Sequence, residues 1–334
     1  MSSKLEKMSI LDIANALGVS KSTVSRVISG KGRIGTETTE RIQKFIQENN
    51  YRPNSIAKSF SESKTYNIGV VLPHDRHLLE IPFFQACLLG ISQEITNQDY
   101  DAIVITVDEN DISNLKRIVE NHKVDGIILT RLLVNDQQIE YLKEAEIPFL
   151  VIGATEDEEV SFIDSDNKAA CFALTRALIE SGLKKIGLLL GNQAYVVNQN
   201  RFTGFKEAMI ESNLMVESSD VIFDLNDNAD IDQAVQTLLQ KDLDLILCGD
   251  DFICSRALNY LDFNDLKVPK DIKVASFYNS QTLENHFPPT TVADFDILEV
   301  GRQAGNAMIQ MINGKDIQSK LIENYKLRLS GSTE

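Results

Sequence analysis

"ILDIANALGVSKSTVSRVISGKG" (residues 10–32) carries two short apolar-periodic stretches on either side of a glycine, and the second is studded with hydroxyls, a lysine and an arginine. Ser9 with Asp12 three residues later marks a helix start, because the hydroxyl caps free backbone N–H groups and the acid sits at the positive end of the helix dipole. Ile13, Ala14 and Leu17 then form an apolar stripe. Gly18 offers the positive φ that ends a helix, and Val19 covers the turn. Ser20 opens a second helix with Val24, Val27 and Ile28 on one face and Lys21, Ser22, Ser25 and Arg26 on another. A third helix starts near Thr36, with Glu37 and Glu40 in its first turn and Ile42, Phe45 and Ile46 facing inward. The spacing predicts a small all-α helix-turn-helix head.

Charge separates this head from the rest. Residues 1–64 hold eleven Lys/Arg against six Asp/Glu, a net of +5, which leaves −21 on the remainder of a 334-residue chain whose formal total is −16. A basic head on an acidic body places the polyanion-binding role on the head alone. A helix that reads the major groove needs donors and acceptors near its N-terminus for base edges, and hydroxyls or N–H groups for phosphates. Lys21, Ser22 and Arg26 suit the first task; Ser20, Thr23 and Ser25 suit the second. Ser9, Arg33 and Tyr51 are further candidate contacts.

The runs LDIANALGVSKSTVSRVISG and ETTERIQKFIQENNYRPNSIAKSF resemble the head of the lactose-repressor (LacI) family of bacterial regulators. The resemblance implies a head at 1–53, a hinge helix and linker at 54–65, and a periplasmic-binding-protein-like body at 66–334. It also implies a homodimer on near-palindromic double-stranded operator DNA. Pro53 disfavours helix at Arg52 and so makes a boundary. By the same resemblance the hinge folds on DNA, with Asn54, Ala57 and Phe60 at the minor groove. Phe60 takes the place of the family's usual Leu wedge, and Phe is also a known wedge.

From residue 66 onward, short β-branched runs alternate with helical stretches. YNIGVVLP (66–73), DAIVITV (101–107), VDGIILT (124–130) and PFLVIG (148–153) form one series. KIGLLLG (185–191), DVIFDL (220–225), LDLILCGD (243–250) and KVASFYNS (273–280) form another. Such alternation means parallel sheets covered on both faces, here two doubly wound subdomains with a ligand cleft at the C-terminal strand ends. The first subdomain is expected at about 66–160 and 292–318, the second at about 161–291 and 319–334. Residues 290–315 resemble the family's return into the first subdomain, and YKLRLS (325–330) a final strand of the second. The chain carries no leucine-heptad tail after these elements, so a dimer is expected.

The residues do not point to an enzyme. There is no GxxxxGK[ST], GxGxxG, HExxH or GxSxG, and the four histidines (74, 77, 122, 286) show no ligand spacing. No metal, cofactor or catalytic residue is expected. The four cysteines (87, 171, 248, 254) form no CxxC pair and read as reduced core residues of a cytoplasmic protein. Neither a secretory signal nor an apolar run of membrane-spanning length is present. An exported sugar-binding transport protein is therefore disfavoured, and it would leave the head unexplained. A catabolite-control-type regulator using a protein co-regulator stays open.

A small-molecule effector, sugar-like, is expected in the cleft. The resemblance carries ligand contact to Arg201 in NRFTGFKEAM, to Asp250 of the Asp250-Asp251 pair, and to Phe83 and Phe84 at the start of the first body helix. Strand-end residues Pro73, His74, Asp75, Thr130, Arg131, Tyr278 and Asn279 complete the expected wall. The Phe-Tyr-Asn-Ser run at 277–280 and the long LPHDRHLLEIPFF loop resemble the maltose-repressor branch, which points to an α-glucoside or oligosaccharide. Arg256 stands where the family often has Gly, which leaves the local helix packing open.

Overall fold

A computed structural model of the chain describes residues 8–29, 32–49, 51, 62, 64–74 and 81–334. Asn54, Ala57, Phe60 and Asp75 lie outside the described residues. The chain divides into two compact units, 1–65 and 66–334.

In the first unit, helices α1 (Ile10–Leu17), α2 (Lys21–Ser29) and α3 (Thr36–Glu48) enclose Ile13, Ala14, Val24, Ile42 and Tyr51. Ser9 and Asp12 form a reciprocal capping box at the start of α1. Gly18 ends α1 at φ 63°, a left-handed conformation that a side chain would strain. The Ser20 hydroxyl accepts from the Thr23 N–H at 3.1 Å, so it caps α2 as its position predicts. Arg41 donates to the Leu17 carbonyl at 3.1 Å, satisfying a free C-terminal oxygen of α1.

The second unit has two lobes. The first is built on a four-stranded parallel sheet, β1 (Asn67–Pro73), β2 (Asp101–Val107), β3 (Gly126–Leu129) and β4 (Phe149–Val151), in the order β2-β1-β3-β4. Helices α4 (Pro82–Thr96), α5 (Ser113–Glu120) and α6 (Gln137–Glu144) belong with it. Between the lobes run β5 (Ile163–Ser165) and, much later, β11 (Lys320–Ile322), which pair with each other in parallel and bury Ile163 and Ile322 in the first lobe's core.

The second lobe contains β6 (Ile186–Leu189), β7 (Val221–Ile222), β8 (Leu245–Cys248), β9 (Lys273–Ser276), β10 (Thr291–Phe295) and β12 (Tyr325–Arg328), ordered β12-β10-β9-β8-β6-β7. All pairings are parallel except that of β12 with β10. Helices α7 (Asn167–Glu180), α8 (Val196–Glu211), α9 (Asn228–Leu239), α10 (Asp251–Phe263) and the short α11 (Gln281–Glu284) complete it. The strands β6 and β8 are buried on both faces, as their unbroken apolar runs require, and β9 is buried at Val274, Ala275 and Ser276.

One boundary differs from the sequence reading. Residues 291–295 do not return to the first lobe: they form β10, whose backbone is claimed by β9 on one side and β12 on the other. The return begins with α12 (Ile297–Ile312), which packs on the first lobe's core. Arg256 is accommodated by a two-point ion pair with Asp232 of α9.

The seating of α12 on α4 depends on two glycines. A Cβ on Gly90 would overlap the Leu298 carbonyl oxygen, and one on Gly301 the Cys87 carbonyl oxygen. Backbone cannot move aside as a side-chain tip can. Gly301→Ala is therefore expected to cost about 3 kcal/mol, shifting Tm by about 5 °C for a unit of this size. Thermal unfolding checks it, and a shift below about 1 °C would contradict the close helix approach.

Candidate effector site and DNA-reading face

The C-terminal ends of both parallel sheets open onto one cavity of about 240 Å³, where the crossing rule for doubly wound sheets places ligands. Thr130 and Arg131 follow β3, Gly191 and Asn192 follow β6, Asp250 and Asp251 follow β8, and Tyr278 follows β9. One wall is aromatic. Phe83 meets Phe84 edge-on at 5.2 Å and Tyr278 at 6.5 Å, while Tyr278 stacks on Phe295 at 6.1 Å.

Another part of the wall is charged. Arg201, in the second turn of α8, is only 8 % exposed. Its guanidinium donates to Asn198 Oδ1 at 3.3 Å and stands 4.0 Å from Asp250. Asn198 is in turn anchored by donation to the Asn192 carbonyl at 2.9 Å. Asp250 caps α10 by accepting from the Ile253 N–H at 2.9 Å. Cap and ligand contact are compatible, because a carboxylate has two oxygens.

Two further carboxyls face this group. Burial pushes Asp164 up to about 7, against the pull of hydrogen bonds from the Ala154 and Ser165 N–H groups and the charge of Arg201. Burial, then the neighbouring negative charge of Asp250, raises Asp251 to about 7 as well. Arg201 Nε, Asp251 Oδ1 and Ser165 Oγ have no hydrogen-bond partner among the described residues. Buried polar atoms are rarely left so, and here they border a cavity that a ligand can fill. A hydroxylated molecule matches, since each hydroxyl donates to a carboxylate and accepts from a guanidinium.

The cavity wall thus includes Phe83, Phe84, Thr130, Arg131, Arg201, Asp250 and Tyr278. Pro73 lies instead in a small separate recess, with Arg131 on the wall between the two. His74 is exposed and donates its N–H to the Val107 carbonyl, continuing the β1–β2 ladder. Asn279 is also displaced from the wall: its amide ties Glu284 and Asp294 together. Sequence reasoning passed over Asp164, Asn192, Tyr195 and Asn198 as contacts. The run IDSDN gave Asp164 no motif of its own, because the residues that tie it to the cavity, Ala154 and Arg201, lie elsewhere in the chain, while Ser165 and Asn167 beside it supply only local hydrogen bonds.

On the head, Ser20, Lys21, Ser22, Ser25 and Arg26 are exposed on or beside α2, and Thr23 is half-buried with its hydroxyl 2.8 Å from that of Ser20. Arg33 is exposed. Ser9 is engaged in its capping box. Tyr51 is 8 % exposed and packs in the head's core, so its side chain is a structural element of the head.

Among the described residues no group of His, Cys, Asp and Glu could hold a metal ion, and no helix is long and apolar enough to cross a membrane. A helix-turn-helix unit and a two-lobed body with a ligand-sized cavity at its strand ends define a transcription regulator with a small-molecule-binding body. Residues 9–54 match the family described as bacterial regulatory proteins, lacI family, and residues 65–329 that of periplasmic binding proteins and sugar binding domain of LacI family. The chain belongs to the LacI family of helix-turn-helix transcriptional regulators. It is 30 % identical to the regulator MalR of Streptococcus pneumoniae over 92 % of this chain and 93 % of that protein. It resembles the structure of a CelR–cellobiose complex (TM-score 0.74, 25 % identity, covering 97 % and 99 % of the two chains). The lac repressor dimer bound to operator shares the fold (TM-score 0.80, 19 % identity, 98 % and 99 % covered).

Proposed function

We propose that the protein is a homodimeric repressor of carbohydrate-utilisation genes whose operator affinity is set by a neutral sugar in the interlobe cavity. The observation that carries this reading is the buried Arg201 among Asp164, Asp250 and Asp251, facing an aromatic wall. Sugar hydroxyls satisfy the first group, and the C–H face of the ring covers the second. Three carboxyls around one guanidinium favour a neutral ligand over a sugar phosphate. The similarity to MalR and to a regulator crystallised with cellobiose supports a glucoside. Calorimetry with maltose, maltotriose, cellobiose and glucose 6-phosphate tests it: saturable binding of a neutral glucoside is expected, and a preference for the phosphate would overturn the reading.

The DNA side rests on α2. Lys21→Ala and Arg26→Ala are each expected to cost about 1–3 kcal/mol at the specific operator and much less on scrambled DNA, as lost base contacts do. Thr23→Ala, at a phosphate-facing position, should weaken both alike. Affinities for the two DNAs at one salt concentration check this. If Arg26→Ala left their ratio unchanged, the base-reading role would be wrong.

A further inference from the structure

We propose that Tyr195 is a positioning residue that acts across the cleft, clamping Arg131 of the first lobe so that lobe closure and assembly of the cavity's Arg131 face are one event. Tyr195 precedes α8 in the second lobe, whereas Arg131 follows β3 in the first. The Arg131 guanidinium lies 4.2 Å from the centre of the Tyr195 ring and 5.3 Å from that of Phe84, a cation held between two aromatic faces. Its Nη1 donates to the Tyr195 hydroxyl at 3.1 Å, and that hydroxyl donates onward to the Glu109 carboxylate. Glu109 belongs to the loop after β2, so this hydroxyl bonds to two residues of the first lobe.

Backbone reinforces the clamp. The Val134 N–H donates to the Ala194 carbonyl at 2.9 Å and the Val196 N–H to the Leu132 carbonyl at 3.1 Å, with Leu133 and Tyr195 paired between them. This short antiparallel stitch joins the lobes far from the β5 and β11 crossovers in sequence. The Tyr195 side is also rigid: the Asn192 side chain accepts from the Ala194 N–H at 2.8 Å, and the Asn192 carbonyl accepts from the Asn198 amide that holds Arg201. Tyr195 and Arg201 therefore move as one body. Seating the tyrosine poses Arg131 and brings Arg201 to the cavity together.

The stitch is testable without any ligand; only its consequence for binding rests on the cavity being the sugar site. Amide exchange of the full-length, sugar-free protein is followed at Val134 and Val196. Wild type is expected to protect both. Tyr195→Ala should speed their exchange about tenfold or more while amides of β3 and β8 are unchanged, and Tyr195→Phe, which keeps the ring, should fall between. Fast exchange in wild type, or no change in Tyr195→Ala, overturns the clamp. With maltose and cellobiose as probes, Arg131→Ala should weaken binding in wild type and add little in a Tyr195→Ala background. An undiminished Arg131→Ala effect there would mean that Tyr195 does not position Arg131. If neither sugar binds wild type, the sugar reading fails while the exchange result still decides the clamp.

Discussion

Arg201→Ala is expected to lower the affinity for the best-bound sugar by at least about a hundredfold, because hydrogen bonds to a charged group contribute about 1.5–3 kcal/mol each and a guanidinium makes several. Arg201→Lys should recover little of this. An ammonium has no Nε–H and no planar fork, and the buried Nε is the atom that lacks a partner among the described residues. The loss should be specific to the sugar. Arg201 lies in the body unit, so operator affinity of the sugar-free protein should stay near wild type. Calorimetry and operator titration on the same preparations read both quantities. Sugar affinity within a few-fold of wild type in Arg201→Ala would remove the arginine from the site.

The second large effect is on stability and pH. Asp164 and Asp251 are raised to about 7 in the folded protein, above the 3.8 of an ordinary aspartate. The folded state thus binds protons that the unfolded chain has released between these values, and unfolding free energy must fall as pH rises through that window. A rise of about three units corresponds to roughly 4 kcal/mol for one group at the limit. Asp164→Asn and Asp251→Asn should each flatten the fall between about pH 4 and 7. Absolute stability is the poorer readout, because the Asp164 oxygens accept from two different backbone N–H groups and an amide can accept only one of these bonds. Urea unfolding at pH 5 and pH 7.5 measures the difference for each variant. A slope identical to wild type in both would show that these carboxyls are ionised throughout. Because an ionised carboxylate accepts a hydroxyl's hydrogen bond more strongly than the protonated acid does, sugar affinity should rise over the same interval.

Local features of the head were legible because they depend on neighbours in the chain. Ser9, Asp12, Gly18 and Ser20 act on backbone groups within four residues, and a propensity or a cap needs nothing further away. The two parallel sheets were legible too, since strands such as Leu245–Cys248 are apolar at every position only when both faces are covered. Residues 291–295 were harder: TVADF is a plausible strand anywhere, and only the partners at 275–276 and 325–328 assign it to the second lobe.

By itself the sequence determined the class of protein, a helix-turn-helix head on a two-lobed α/β body, and it singled out Arg201 and Asp250 through the resemblance of their surroundings. Tertiary structure alone decided that Asp164, from a three-residue strand in the crossover, faces the same guanidinium as Asp251 of α10. It alone turned Tyr51 inward, moved Asn279 off the wall and set Tyr195 against Arg131. Most of these placements join residues tens of positions apart. For Asp164 facing Arg201 and for Tyr195 against Arg131, the free energy that fixes them, burial of charge, cation–π contact and a two-bond stitch, exists only once both lobes have closed around the cavity.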